Sequence, residues 1–137
     1  MIRQIFGASL LFPACAMAGD YELQLSDTGQ REYYCTATIT LENRTAAPLV
    51  EISGFFYTFV GDEQVGRSKG AWFMNVPAGE SATAVFETPN APCTEIDRYD
   101  FVIGACRIDA GFIDKNECAA LVGGTDPIVV ANSLASQ

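Results

Sequence analysis

The chain has 137 residues, 17 Asp and Glu against 8 Lys and Arg, and no histidine. That length holds one domain rather than two, and 49% hydrophobic with only 18% charged residues describes a folded chain. The net charge of −9 disfavours nucleic acid and anionic lipid as partners, and the lack of histidine excludes Ser-His-Asp and Cys-His catalysis and removes the commonest zinc ligand.

The first 18 residues read as a leader peptide. Arg3 supplies a positive start, residues 5–12 form a short apolar run, and Ala16-Met17-Ala18 gives the small-x-small pattern of a cleavage site before Gly19. The run is too short to span a bilayer, and no later segment approaches the ~20 apolar residues that would. A lipid anchor at Cys15 is the rival reading, but Phe12-Pro13-Ala14-Cys15 is a poor lipobox. Losing the leader removes Arg3 and no acid, so 17 acidic and 7 basic side chains remain, a net charge of −10. It also removes one cysteine of five and leaves Cys35, Cys93, Cys106 and Cys118, an even set in an exported chain.

The mature region alternates with period 2, and turn residues recur every ~8–12 positions, which predicts a sandwich or barrel of strands. Tyr21, Leu23 and Leu25 alternate with Glu22 and Gln24. Tyr33, Cys35, Ala37, Ile39 and Leu41 share one face of the next strand, with Thr36, Thr38, Thr40 and Glu42 on the other. Asn43-Arg44-Thr45 is formally a glycosylation sequon and reads as a turn. The segment from Leu49 to Val60 crowds aromatics onto both faces around Gly54. A bulge at Gly54 puts Phe55, Tyr57 and Phe59 in the core, and this is the favoured reading; without one they form an exposed aromatic stripe, a binding surface. Residues 71–76 form a strand containing Trp72, followed by Ala82, Ala84 and Phe86 alternating along another. The prolines of 89–93 make a loop, and Tyr99, Phe101, Ile103 and Ala105 alternate to Arg107. Residues 113–122 form a strand or a short helix. Residues 128–130 are a candidate last edge strand, and 132–137 a frayed tail.

Two segments carry a family resemblance. A strand ending Phe59-Val60-Gly61-Asp62-Glu63 and a turn Val76-Pro77-Ala78-Gly79-Glu80 leading to Phe86 resemble the FxLYD-like and other immunoglobulin-like or fibronectin-like modules of bacterial envelope proteins. The resemblance covers about half the chain and implies a β-sandwich fold, with no catalytic residue and no particular ligand. Four cysteines allow three connectivities. In an immunoglobulin-like sandwich Cys35 and Cys93 fall at one end and Cys106 and Cys118 at the other, so the pairs 35–93 and 106–118 need the least backbone travel. An antibody-like 35–106 bond and the set 35–118 with 93–106 are the alternatives.

Little catalytic chemistry has a motif. The cysteines lack the paired spacing of a zinc site, and no glycine-rich phosphate loop follows a strand. With 17 acids some carboxylate pair lies close by chance, so a glycosidase signal is empty. Asp109, Asp114, Asn116 and Glu117 line either a calcium-binding turn or a solvated one, and the spacing does not fit an EF-hand loop. The candidate contact residues are Trp72 and Phe73, the basic pair Arg67 and Lys69 just before them, and Phe55, Tyr57 and Phe59. For Trp72 core packing is the favoured reading, since a sandwich needs one large buried residue, and a binding role the alternative.

The sequence therefore predicts an all-β protein: a two-sheet antiparallel β-sandwich, immunoglobulin-like, stapled by two disulfides over residues 19–122, with 123–137 an edge strand or flexible tail. The expected function is a non-enzymatic interaction module of the periplasm or cell envelope, or secreted, which docks a protein partner and needs no cofactor or metal. The alternative is an acidic inhibitor or immunity-type protein that blocks a cationic envelope enzyme or toxin.

Overall fold

The computed structural model describes residues 19–68, 70–108 and 111–131. The leader with Cys15, the candidate contact Lys69, Asp109 of the candidate calcium turn, and the tail 132–137 lie outside the described residues.

Among the described residues ten strands, one α-helix and a short 3-10 turn at Cys93–Glu95 follow in order. β1 is Tyr21–Arg31, β2 Tyr34–Asn43, β3 Leu49–Val60, β4 Glu63–Arg67, β5 Ala71–Val76, β6 Ser81–Pro89, β7 Arg98–Ile108 and β8 Gly111–Phe112. Then come α1, Lys115–Leu121, β9, Val122–Gly124, and β10, Ile128–Ala131. They build two sheets. One has the order β9-β1-β2-β6; the other has the order β10-β7-β3-β4, with β5 also pairing β3 and β8 pairing β7. Most neighbours are antiparallel, but β9 lies parallel to β1 and β10 parallel to β7, so the all-antiparallel expectation fails at one edge of each sheet. Residues 122–131 belong to the folded body as strands, with Ile128 buried in the core.

Alternation builds the core. Leu23, Ala37, Ile39 and Leu41 of the first sheet face Ile52, Phe56, Phe73, Phe101 and Ile103 of the second, all buried. Phe56 stacks on Phe86 with ring centroids 5.0 Å apart and tilts against Phe101 at 4.7 Å. Thr58 and Thr88, one from each sheet, satisfy each other inside this core at 2.9 Å. Asn43 is wholly buried. Its amide donates to the carbonyls of Ala47 at 2.9 Å and Val76 at 3.0 Å, while its Oδ1 accepts from the Thr45 backbone and hydroxyl. The sequon asparagine is thus the internal tie of a turn.

The aromatic strand β3 departs from expectation in its phase. The register against β7 does shift between Ser53 and Gly54, but the extra residue is Gly104 of β7, because Ser53 pairs with Ala105 and Gly54 with Ile103. A second shift between Leu49 and Glu51 leaves Val50 as the extra residue of β3. The result points Ile52, Gly54, Phe56 and Thr58 inward, and Phe55 and Tyr57 outward. The expectation that Phe55 and Tyr57 are core is corrected: each is only half-buried. Gly54 serves close approach instead. A Cβ there would stand 2.2 Å from the Val102 carbonyl oxygen and 3.1 Å from the Phe101 ring.

The disulfides join Cys35 to Cys93 across 58 residues and Cys106 to Cys118 across 12. On chain entropy these closures contribute about 4 and about 3 kcal/mol respectively. The second pins α1 against β7. The helix begins at Asp114, whose carboxylate accepts from the Asn116 N–H while Glu117 reaches back to the Asp114 N–H, a capping box. Asp114 and Glu117 of the candidate calcium turn are therefore capping groups.

Two measurements test this frame. Gly54→Ala is expected to lower stability by about 2–3 kcal/mol, read as a lower denaturant midpoint at unchanged slope, while Gly29→Ala, with nothing within 4 Å of the added carbon, leaves stability equal or slightly higher. Replacing both Cys35 and Cys93 by Ala is expected to destabilise more than replacing both Cys106 and Cys118, because the first pair closes the longer loop.

Candidate functional site

The two sheets show solvent different chemistry. The outer face of the β9-β1-β2-β6 sheet carries Thr36, Thr38, Thr40, Glu42, Thr83 and Glu87, mostly the polar surface expected of a sheet with one wet side, interrupted by Tyr34 and by Val85, which is 62% exposed. The outer face of the other sheet does not follow that rule. Trp72 is 59% exposed, Met74 51% and Val129 48%, and half-buried Phe55, Tyr57 and Val102 lie between them on the same side. Register places them: Ser53 pairs with Trp72, Glu51 with Met74, Phe55 with Val102, and Asp100 with both Tyr57 and Val129. Exposed apolar surface grouped in this way marks a contact region.

Cations sit on this face although the protein is strongly acidic. The Arg67 guanidinium lies 4.6 Å from the centroid of the Phe55 ring, Arg98 lies 4.0 Å over Phe59, and Arg107 lies 5.4 Å over Phe112. Arg98 also makes an ion pair with Asp100 at 2.8 Å, and that carboxylate holds the guanidinium pKa above its ordinary value. Among the described residues Arg67 and Arg107 make no ion pair, so each presents its charge from an aromatic platform.

A groove of about 620 Å³ opens beside the face, between the β6 edge and the β4–β5 connection. Tyr34, Val85, Phe86 and Pro89 supply its apolar wall, and Glu87 and Arg67 its charges. Arg67 and Gly70 belong to groove and face together, because Gly70 also carries the Trp72 ring. A Cβ at Gly70 would stand 2.7 Å from that indole, and its φ of 146° already favours glycine.

The structure brings together Arg67, Trp72, Phe55 and Tyr57 of the sequence candidates. Two candidates are corrected. Phe73 is wholly buried, since it follows Trp72 on a strand and points to the opposite side. Phe59 is also buried, lying beneath Arg98. Met74, Val129, Val102 and Arg107 were missed. Met74 is legible as the residue two after Trp72; Val129 and Arg107 are not, because their neighbours are set by long-range pairing. Among the described residues no group of three or more Cys, Asp and Glu is arranged to hold a metal, and no helix is long and apolar enough to cross a membrane.

The fold has a solved counterpart. A structure described as the structural characterization of IrmA from Escherichia coli aligns with a TM-score of 0.56 over 79% of this chain and 92% of that one, at 8% identity. At that identity the likeness shows the fold alone. No protein-family model matches the chain, and no curated protein matches its sequence.

Replacing Trp72 by Ala is expected to change stability by no more than about 0.5 kcal/mol, because the indole is largely solvated. Phe73→Ala one residue on is expected to cost about 3–5 kcal/mol. Chemical denaturation of the two variants separates contact surface from core.

Proposed function

We propose that the protein is an exported, non-enzymatic interaction module that docks a protein partner on the outer face of its β10-β7-β3-β4 sheet. The observation that carries this reading is the exposed group Trp72, Met74, Tyr57 and Phe55 beside Arg67. Trp, Tyr, Met and Arg are the residue types enriched where partners bury surface, and a rigid sheet holds them at little entropic cost. The two disulfides point to an oxidising compartment, in keeping with the periplasm or the cell exterior, and the leader-like residues 1–18 support the same route. The fold reading is immunoglobulin-like. In its support, β1, β2 and β6 share one sheet while β3, β4 and β7 share the other, the division that the A, B, E and C, C′, F strands make in such domains. The parallel strands β9 and β10 are this chain's departures from it.

Trp72 is the chain's single tryptophan, so it reports its own burial. The oxidised domain, immobilised and exposed to envelope extract, is expected to retain one stoichiometric partner at both low and high salt. Addition of that partner is expected to shift the Trp72 emission to the blue, and Trp72→Ala or Tyr57→Ala to abolish retention. A basic partner held only at low salt, and held equally by the Trp72→Ala variant, would overturn the face as the docking site and favour the acidic inhibitor.

A further inference from the structure

The carboxylate of Glu22 lies at the start of β1 with its side chain only 8% exposed, and three segments converge on it. Thr125 donates its hydroxyl to Oε2 at 2.7 Å, and the Gly19 N–H donates to Oε1 at 3.3 Å. Arg44 is the charged neighbour, but its Nη1 stands 3.8 Å from Oε1, beyond the ~2.7–2.9 Å of a charge-assisted hydrogen bond, and its Nε is engaged at 2.9 Å with Glu42. A buried carboxylate calls for a close cation, and this one has a distant one.

The backbone around Glu22 is cut to admit the Gly19 nitrogen. A Cβ on Gly19 would stand 2.6 Å from the Gly123 nitrogen and 2.6 Å from the Leu121 carbonyl oxygen. A Cβ on Gly123 would stand 2.6 Å from Glu22 Oε1 and 3.0 Å from the Gly19 nitrogen. Glycine at both positions lets the carboxylate and that nitrogen meet between β1 and β9, where Gly123 pairs with Glu22. Gly19 is also the residue that follows Ala16-Met17-Ala18.

We propose that Glu22 is a receptor for the chain's own α-ammonium group, created when the leader is removed between Ala18 and Gly19. The proposal rests on the reading that the leader ends at Ala18. A leader peptidase hydrolyses that bond with one water: the hydroxyl remains on the Ala18 carboxyl, and the hydrogen goes to the Gly19 nitrogen, which takes a further proton at neutral pH. A neutral amide with one N–H becomes a cation with three donors, already beside a buried carboxylate. Maturation thereby turns an ordinary hydrogen bond into a charge-assisted one and ties the start of β1 to β9 and the Thr125 turn. The leader-bearing chain has only the neutral hydrogen bond there.

The test compares the oxidised chain 19–137 carrying a free Gly19 amine with the same chain acetylated there, which restores the amide of the precursor. The free-amine form is expected to melt about 3–5 °C higher, and the difference to vanish in Glu22→Gln. Equal melting temperatures in the unsubstituted chain would overturn the proposal. A second readout needs no substitution. The amine of the native domain is expected to react with a neutral-pH acylating reagent about tenfold more slowly than in the unfolded chain, and equal rates would overturn it. The N-terminal mass of the exported protein reads the leader separately. Gly19 at that terminus supports the role in maturation, and any other terminus removes that role while the acetylation comparison still judges the receptor.

Discussion

The antiparallel pairing of β3 with β7 is the constraint on which the rest depends. These two strands form the middle of the larger sheet, and its other strands pair directly with one or the other, β4 and β5 with β3, β8 and β10 with β7. Gly54 allows β3 to press its backbone onto the Val102 carbonyl and the Phe101 ring. Gly104, the extra residue opposite, then changes the phase of β7 without changing that of β3. Phe101 and Ile103 stay in the core on one side of Gly104, and Cys106 returns to it on the other, in reach of Cys118. A strict two-residue alternation would have sent Cys106 outward with Val102 and Gly104. The bulge therefore does two things at once: it seats a disulfide under α1 and keeps the outer face of β3 aromatic.

That geometry explains which parts of the structure were legible. The Thr-apolar alternation of residues 35–41 was readable because over those residues every outward position is a threonine and every inward one apolar, so only one phase is possible. The cysteine pairing was favoured over its two alternatives because an immunoglobulin-like order of strands puts residues 35 and 93 at one end and 106 and 118 at the other, and the disulfides formed are those two. The phase of β3 was not, since Phe55, Phe56, Tyr57 and Phe59 are apolar on both faces and the residue that settles the matter, Gly104, lies 50 positions away on the partner strand. The same ambiguity covered Trp72 and Phe73. Two adjacent aromatics must face opposite ways, but only their pairing with Ser53 and Ile52 decides which one is inside. The edge strands β9 and β10 were hidden for another reason. Each is short and pairs in parallel with a strand far away in sequence, which no local periodicity reports.

The charge distribution ties the contact face to the fold. An excess of 9 negative charges is spread over the protein, yet Arg67, Arg98 and Arg107 all lie on the outer face of one sheet, each over a ring. Stacking covers the apolar faces of Phe55, Phe59 and Phe112 with guanidinium planes, which lowers the cost of leaving ring surface near water. Arg98 spends its charge on Asp100, whereas among the described residues Arg67 and Arg107 pair with no carboxylate. The face thus offers apolar area at its centre and cationic donors at its margins, set in an acidic surround. Such a pattern discriminates: a partner with matching apolar area and acidic groups at its rim is favoured locally, while a merely basic protein meets arginines at the place where the apolar contact would form.

The edges of the sheets limit how else the molecule can associate. Short parallel strands, β9 and β10, cover part of one side of each sheet: β9 pairs with Tyr21 to Leu23 of β1, and β10 with Tyr99 to Val102 of β7. On the opposite side β3 is covered by two short strands, β4 and β5, separated by the turn that holds Ser68. The Ser68 N–H donates to the Phe56 carbonyl at 2.8 Å and its hydroxyl accepts the Phe56 N–H at 2.9 Å, so a single residue completes the ladder where strand pairing is interrupted. Long outer edges remain on β6 and on β1 beyond Leu23, and in the groove beside β6 an extended segment would meet backbone donors and the Arg67 side chain together. A partner that laid a strand along β6 would come to the border of the aromatic face at Arg67 and Trp72. Edge and face would then be parts of one docking surface, with specificity set by the side chains at their junction.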